Sequence, residues 1–219
     1  MAAKATCRVL VLGGSKGGCG RSTIARNLMV AASLADINVV GADLDRQGTF
    51  LRWSERREVA RQKLPQIVPA EVFSAEVGNW RSILDQVKSY QLAIVDTAPG
   101  VEHDMTPMLE LCGRASLVLV PTSPSGDDLE SVAPWFKTLT DAGANAEFVL
   151  NRANRRTRSY AAARTTLLRY GAVAPVEIPQ LEEIMTPFKT GLSAVDYENS
   201  KAADAMNDLW LHVRRAVKL

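Results

Sequence analysis

The chain of 219 residues is 47% hydrophobic, long enough to bury one substantial core and too short to require two, so a single domain over residues 1–219 is expected. Lys plus Arg number 26 against 24 Asp plus Glu, a net charge of +2, which neither predicts nor excludes an acidic partner and leaves that question to local clusters. The three cysteines, Cys7, Cys19 and Cys112, form no CxxC or Cys/His grouping; this argues against a disulfide framework and a zinc site, and a cytoplasmic setting is expected.

In chain order, "MAAKATCRVLVLGG" has no basic segment ahead of a long apolar core, and its apolar run is strand-sized. No apolar stretch approaches the roughly 20 residues needed to span a bilayer, so neither an export signal nor a membrane span is expected. The run "RVLVLG" leads into the glycine-rich "GSKGGCG", after which "IARNLMVAASLA" sets Ile24, Leu28 and Ala31 or Ala32 on one helical face. Further strand-like runs follow at helix-length intervals: "NVVGAD", "QIVPAEVF", "LAIVD", "SLVLVP", "AEFVLN" and "VAPVEIP". This alternation predicts an α/β fold with a doubly wound, mostly parallel twisted sheet and helices on both faces. "LAIVD" and "SLVLVP" are apolar on consecutive residues, as strands covered on both sides are. In such sheets ligands gather beyond the carboxyl ends of the strands.

A strand, a glycine turn and a helix start at Ser22 and Thr23 together make an anion site, because unpaired backbone N–H groups and the positive helix end point at the same spot. The usual phosphate loop reads GxxxxGK[ST]: glycines let the backbone wrap phosphate oxygens, the lysine reaches the outer phosphates and the hydroxyl meets magnesium. Here Ser15 stands at the first glycine and Arg21 at the lysine, whereas Gly20 and Ser22 keep their places. Gly17, Gly18, Cys19, Gly20, Arg21, Ser22 and Thr23 are the expected nucleotide contacts. Ser22 is the natural direct ligand of Mg2+, and Asp96, which closes "LAIVD", is placed to hold the ion through water; a plain turn aspartate is the alternative. A guanidinium is planar and wider than an ammonium. Arg21 is therefore expected to preserve binding and to slow hydrolysis, since phosphoryl transfer depends on positioning. Cys19 reads as a tolerated small residue and not a redox switch, and His103 and His212 as bystanders.

The segment "KGGCGRST" resembles the KGGxGK[ST] loop of the ParA/MinD superfamily, with Lys16 on that family's signature lysine. The likeness continues in order. "NVVGADLDRQGTFLRW" resembles the DxDPQ motif with Arg46 in place of the proline. "LAIVDTAPG" is similar to the Walker B strand and the switch after it. "LVLVPTSPSGDDLES" is similar to the proline-rich stretch, with Asp128 on a family aspartate, and "VLNR" and "VEIPQ" to the purine-side motifs. "NSKAADAMNDLW" is similar to the closing helix. Small ParA-type partition proteins are the nearest pattern. The resemblance implies a P-loop ATPase using ATP and Mg2+, in which Lys16 crosses a dimer interface to the partner's nucleotide. It further implies that Asp45 orients the attacking water, Asp43 supports the magnesium shell, and Asn151 and Pro179 lie on the adenine side. Residue by residue the bland alternatives stay open: either aspartate could cap the helix starting near Gly48, and Asn151 could be an ordinary turn asparagine.

From Asn151 to Tyr170, "NRANRRTRSYAAARTTLLRY" holds Arg152, Arg155, Arg156, Arg158, Arg164 and Arg169 with no acidic residue. Such a cluster suits phosphate backbones; a solvated helix face is the alternative. "LRWSERREVARQK" is a second, more mixed stretch, and Lys189, Lys201, Arg214 and Arg215 are further candidates. In the last segment Met206, Leu209, Trp210, Val213 and Val217 form one stripe, expected to pack in the core, with a membrane-surface helix as the alternative. The resemblance implies a homodimer formed on ATP that binds DNA non-specifically, associates with the nucleoid and is released when a ParB-like or other cargo adaptor stimulates hydrolysis. A nucleotide-gated scaffold with little turnover is the reading from another class.

Overall fold

The computed structural model describes residues 6–99 and 105–219. Its strands are β1 (Arg8–Leu12), β2 (Val39–Asp43), β3 (Val72–Ser74), β4 (Leu92–Asp96), β5 (Leu117–Thr122) and β6 (Ala146–Leu150). They form one sheet in the order β3-β2-β4-β1-β5-β6, every pair parallel. The connecting helices are α1 (Arg21–Leu34), α2 (Thr49–Arg61), α3 (Trp80–Gln86), α4 (Met105–Arg114), α5 (Gly126–Asp141), α6 (Arg158–Leu167), α7 (Glu182–Met185) and α8 (Lys201–Ala216). This is the expected doubly wound α/β architecture.

Alternate residues of each strand feed two separate cores, which is why the strand runs are apolar throughout. Leu10, Leu12, Leu92, Ile94, Leu117 and Leu119 face α1, α2 and α8, while Val9, Val11, Ala93, Val95, Val118 and Val120 face the helices of the opposite layer. Helix α1 lies so deep that Ile24, Leu28, Met29 and Val30 are all fully buried. The terminal stripe of Met206, Leu209, Trp210 and Val213 in α8, continued by Val217, is buried in the same core. That is the packing role expected of it, and the membrane-surface alternative loses its apolar face.

Two runs depart from the strand expectation. "QIVPAEVF" contributes only Val72 and Phe73, to the strand Val72–Ser74, and "VAPVEIP" joins the sheet edge through isolated bridges, Phe148 to Val173 and Ala153 to Pro179. The second run still follows β6, with Ala174 N–H on Phe148 O and Ile178 N–H on Leu150 O, both at 2.8 Å. Pro175 and Pro179 have no N–H to donate, so a regular ladder cannot continue there.

The sheet register lays Leu12, Asp96 and Asp43 side by side at the carboxyl ends of β1, β4 and β2. Tertiary structure also takes one charge out of the second basic stretch. Arg57 is 0% exposed, forked onto Asp196 (Nη1–Oδ2 2.7 Å, Nη2–Oδ1 2.8 Å) and bonded through Nε to Val68 O. It ties α2 to the segment before α8 and presents nothing to solvent, which corrects its place on a solvated face.

Candidate functional site: the phosphate loop

After β1 the chain enters the loop through Gly13, whose N–H donates to Leu119 O at 2.9 Å. Gly18 and Gly20 then take φ of 74° and 104°, left-handed conformations open mainly to glycine. Among the described residues, no N–H from residue 14 to residue 19 has a backbone acceptor. These donors, followed by the start of the 14-residue helix α1, form the concave, positive nest that phosphate oxygens bind. Gly17, Gly18, Cys19, Gly20, Ser22 and Thr23 all lie on this turn or the first turn of α1.

The loop is braced from β6. Asn151 Nδ2 donates to Cys19 O at 2.8 Å, and the neighbouring Arg152 donates through Nη2 to Gly18 O at 2.9 Å. A Cβ on Gly20 would collide with Asn151 Nδ2. The Asn151 side-chain oxygen Oδ1 accepts Arg152 N–H at 2.9 Å, so the side chain works first as a loop brace. Arg152 itself has φ 53°, an uncommon conformation for a non-glycine residue.

Arg21 is buried at 6% exposure and turns inward. Its Nη1 donates to Gly14 O at 3.1 Å, to Lys16 O at 2.8 Å and to Cys19 Sγ at 3.4 Å. Burial pushes the Cys19 thiol pKa up, and the adjacent Arg21 charge only partly opposes this. Lys16 points the other way, across the rim of the site. Its Nζ donates to Asp127 O at 2.6 Å and lies 3.8 Å from the Asp128 carboxylate, which also accepts the Ser123 hydroxyl at 2.6 Å.

Beside the loop, Asp96 is fully buried and neither carboxylate oxygen has a hydrogen-bond partner among the described residues. Burial raises its pKa to about 7; Asp43 and Asp45 reinforce the shift, while the neighbouring Ser22 hydroxyl and Arg21 oppose it. A buried, unpartnered carboxylate is costly. A hard, oxygen-seeking cation such as Mg2+ between this carboxylate and the Ser22 hydroxyl would relieve that cost, so the residues present fit the ion. No cluster of three or more His, Cys, Asp or Glu among the described residues could hold a metal unaided; phosphate oxygens would complete the shell.

For Asp43 the capping alternative is the one realised. Oδ2 accepts Phe50 N–H and Leu51 N–H, both at 2.9 Å, and Oδ1 accepts Asp45 N–H at 3.0 Å. Its oxygens are thus held by the start of α2, and its charge reaches Asp96. Asp45 accepts Gln47 N–H through Oδ1 at 2.9 Å and lines a cavity of about 480 Å³ with Arg46, Glu76, Ala98 and Pro99. A second cavity of about 900 Å³ is lined by Pro179, Asn154, Arg155, Arg156 and Lys201, on the side of the loop where Asn151 stands.

The side chains of the arginine cluster make different contacts. Arg152 is engaged with the phosphate loop and Arg155 is ion-paired with Glu177, and both residues are exposed. Arg156 and Arg158 are exposed with no ion-pair partner among the described residues, and Arg164 is half-buried on α6. His212 bonds Glu147 at 2.6 Å, away from the loop, and His103 lies outside the described residues. The bracing role of Arg152 was missed because it needs a contact 134 positions away in the chain. The only local signal was its place directly after Asn151.

The CobQ/CobB/MinD/ParA nucleotide binding domain matches residues 10–194. The maintenance of carboxysome distribution protein A of Gloeobacter kilaueensis is 26% identical over 216 residues, 92% of this chain and 90% of that protein. Its namesake from Halothiobacillus neapolitanus is 27% identical over 170 residues, 74% of each chain. Among solved structures, the cell division ATPase MinD of Pyrococcus furiosus superposes with a TM-score of 0.77 at 21% identity, covering 95% of this chain and 98% of that one. The ATP complex of Cyanothece McdA gives 0.74 at 14% identity, covering 98% of each. No helix among the described residues is long and apolar enough to cross a membrane. With the loop, the buried aspartate and the sheet order all in place, the chain belongs to the CobQ/CobB/MinD/ParA nucleotide-binding family and carries its P-loop ATPase fold.

Proposed function

We propose that this P-loop ATPase positions a cargo: two copies close on ATP, the closed dimer binds DNA without sequence preference, and hydrolysis stimulated by an adaptor protein releases it. The carboxysome-distribution relatives support a large protein assembly as the class of cargo. The observation that carries the reading is Lys16. It sits on the phosphate loop but is tethered to Asp127 and Asp128 on its own subunit, about half exposed, instead of entering its own nest. A cation held at the rim is available to a phosphate on a facing molecule.

Within one subunit the loop N–H groups and the start of α1 bind the phosphates, Ser22 and Asp96 would hold Mg2+, and the Asn151–Pro179 side takes the base. When bound, the ion neutralises negative charge on the phosphate oxygens. Asp45, with Oδ2 unbonded among the described residues and a cavity in front of it, orients the attacking water. DNA binding, dimerisation and nucleotide state are then linked equilibria.

The test is the mass of the native chain and of Lys16→Ala by light scattering with ATP and magnesium, together with DNA retention against salt. Dimers that form only in the native chain, and DNA retained only with ATP, are the expected results. A chain that stays monomeric at saturating ATP, or binds DNA equally in every nucleotide state, would remove the reading. The nucleotide-gated scaffold is favoured by one observation, the fixed position of Arg21; ATP-dependent dimers with no phosphate release would select it.

A further inference from the structure

We propose that Arg21 is a fixed strut inside the phosphate loop: Nη1 holds the loop backbone, and the Nε and Nη2 edge is left for the phosphates of a nucleoside di- or triphosphate. This deepens the ATPase reading and rests on residues 14–22 being a phosphate loop. Three observations converge on it. Nη1 donates to the carbonyls of both Gly14 and Lys16 and to the Cys19 sulfur, so a single nitrogen spans the inner curve of the turn. Nε and Nη2 have no hydrogen-bond partner among the described residues, though the side chain is buried at 6% exposure. The loop is also shaped around the group: a Cβ on Gly14 would stand 2.9 Å from Nη1 and 3.2 Å from Cys19 Sγ.

An ammonium gathers its three N–H donors on one nitrogen, so a lysine here must draw the loop carbonyls and the phosphate around a single point. A guanidinium is a rigid fork that places the two tasks on different nitrogens. The consequence divides binding from turnover. A loop braced before ligand arrives has less ordering to do on binding, which favours affinity. A cation placed by the loop carbonyls, and not by the charge that develops on the transferring phosphoryl group, meets ground state and transition state alike and adds little to rate. Arg21 is on this view a phosphate-binding residue whose substitution moves KM and kcat in the same direction.

The experiment measures ADP affinity for the native chain, Arg21→Lys, Gly14→Ala and the double variant, ATP turnover for the first two, and ligand-free melting for all four. Arg21→Lys is expected to raise KM about tenfold while raising kcat. Gly14→Ala is expected to weaken ADP about tenfold beside Arg21 and less than about twofold beside the lysine, a coupling between the two sites. If Gly14→Ala unfolds the native chain but not the lysine variant, that rescue supports the strut equally. Equal losses in both backgrounds, unfolding in both, or a lysine variant that binds ADP as tightly as the native chain would overturn it. Should the native chain bind no nucleotide, the ATPase reading fails, yet the strut is still tested: Gly14→Ala must lower the ligand-free melting temperature only where Arg21 is present.

Discussion

The phosphate loop and the arginine-rich segment from 151 to 164 touch each other, yet they differ in how their parts are used. The loop works mainly through backbone: its N–H groups and glycine conformations follow from local sequence, and its residues stand where the motif puts them. The arginine segment works through long side chains that reach several ångströms, and they end in different places. Arg152 braces Gly18, Arg155 pairs with Glu177, and Arg156 and Arg158 stay exposed. A motif of small residues is thus a statement about geometry, whereas a run of like charges is only a supply of groups whose destinations the fold decides.

The largest effect expected of any arginine partner is at Arg57. Replacing Asp196 by Asn leaves a fully buried guanidinium without its carboxylate, and breaking such a pair by removing one partner costs about 3–5 kcal/mol, or about 10 °C in melting temperature. Arg155→Ala, which removes an exposed guanidinium from a Glu177 side chain that is 7% exposed, should cost less, about 1 kcal/mol. Thermal melts of the two variants decide it: comparable losses would mean that burial does not separate these arginines. Next in size is Gly20→Ala. A left-handed alanine costs about 1–2 kcal/mol, and its Cβ displaces Asn151, so nucleotide affinity should fall at least about tenfold while the sheet stays folded. Unaltered nucleotide binding in this variant would show that the loop does not depend on the brace from β6.

Legibility follows the same division. The six strands, the two-sided burial, the loop and the α8 stripe could be read from the chain because each rests on periodicity or backbone chemistry within a few residues. "VAPVEIP" was expected as a seventh strand, and only the prolines' missing donors reduce it to bridges. The Asp43 cap depends on the start of α2 folding back over the end of β2, which spacing alone does not say. Arg57 and Arg152 were beyond reach for one reason: their partners lie 139 and 134 positions away in the chain, and an arginine that will be buried looks the same in sequence as one that will not.

A smaller effect separates the arginines within the basic segment. If the exposed pair alone meets DNA, Arg156→Ala with Arg158→Ala should weaken ATP-dependent retention about tenfold and make the dependence of log K on log salt shallower by about 2, since each phosphate contact contributes about 0.9. Arg152→Ala should leave that slope unchanged and lower nucleotide affinity instead. Were Arg152→Ala to flatten the slope while the double variant did not, the assignment of the two groups would be reversed.

The smallest effect bears on the loop side of the comparison. Cys19 lies beside Arg21 at the start of a helix, surroundings that by themselves favour a thiolate. Burial outweighs them and raises its pKa, as it raises Cys7 to about 11 and Cys112 to about 12. A raised pKa means less thiolate at any given pH, so at pH 8 all three thiols should alkylate more slowly than glutathione, and ATP should slow Cys19 further while leaving the other two unchanged. Rapid labelling of Cys19 at pH 8 would show that the guanidinium charge reaches the sulfur more strongly than burial does. The carbonyls of Gly14 and Lys16 would then not be holding Arg21 as they do here, and the loop would belong with the arginine segment, as a place where a long side chain chooses its partner.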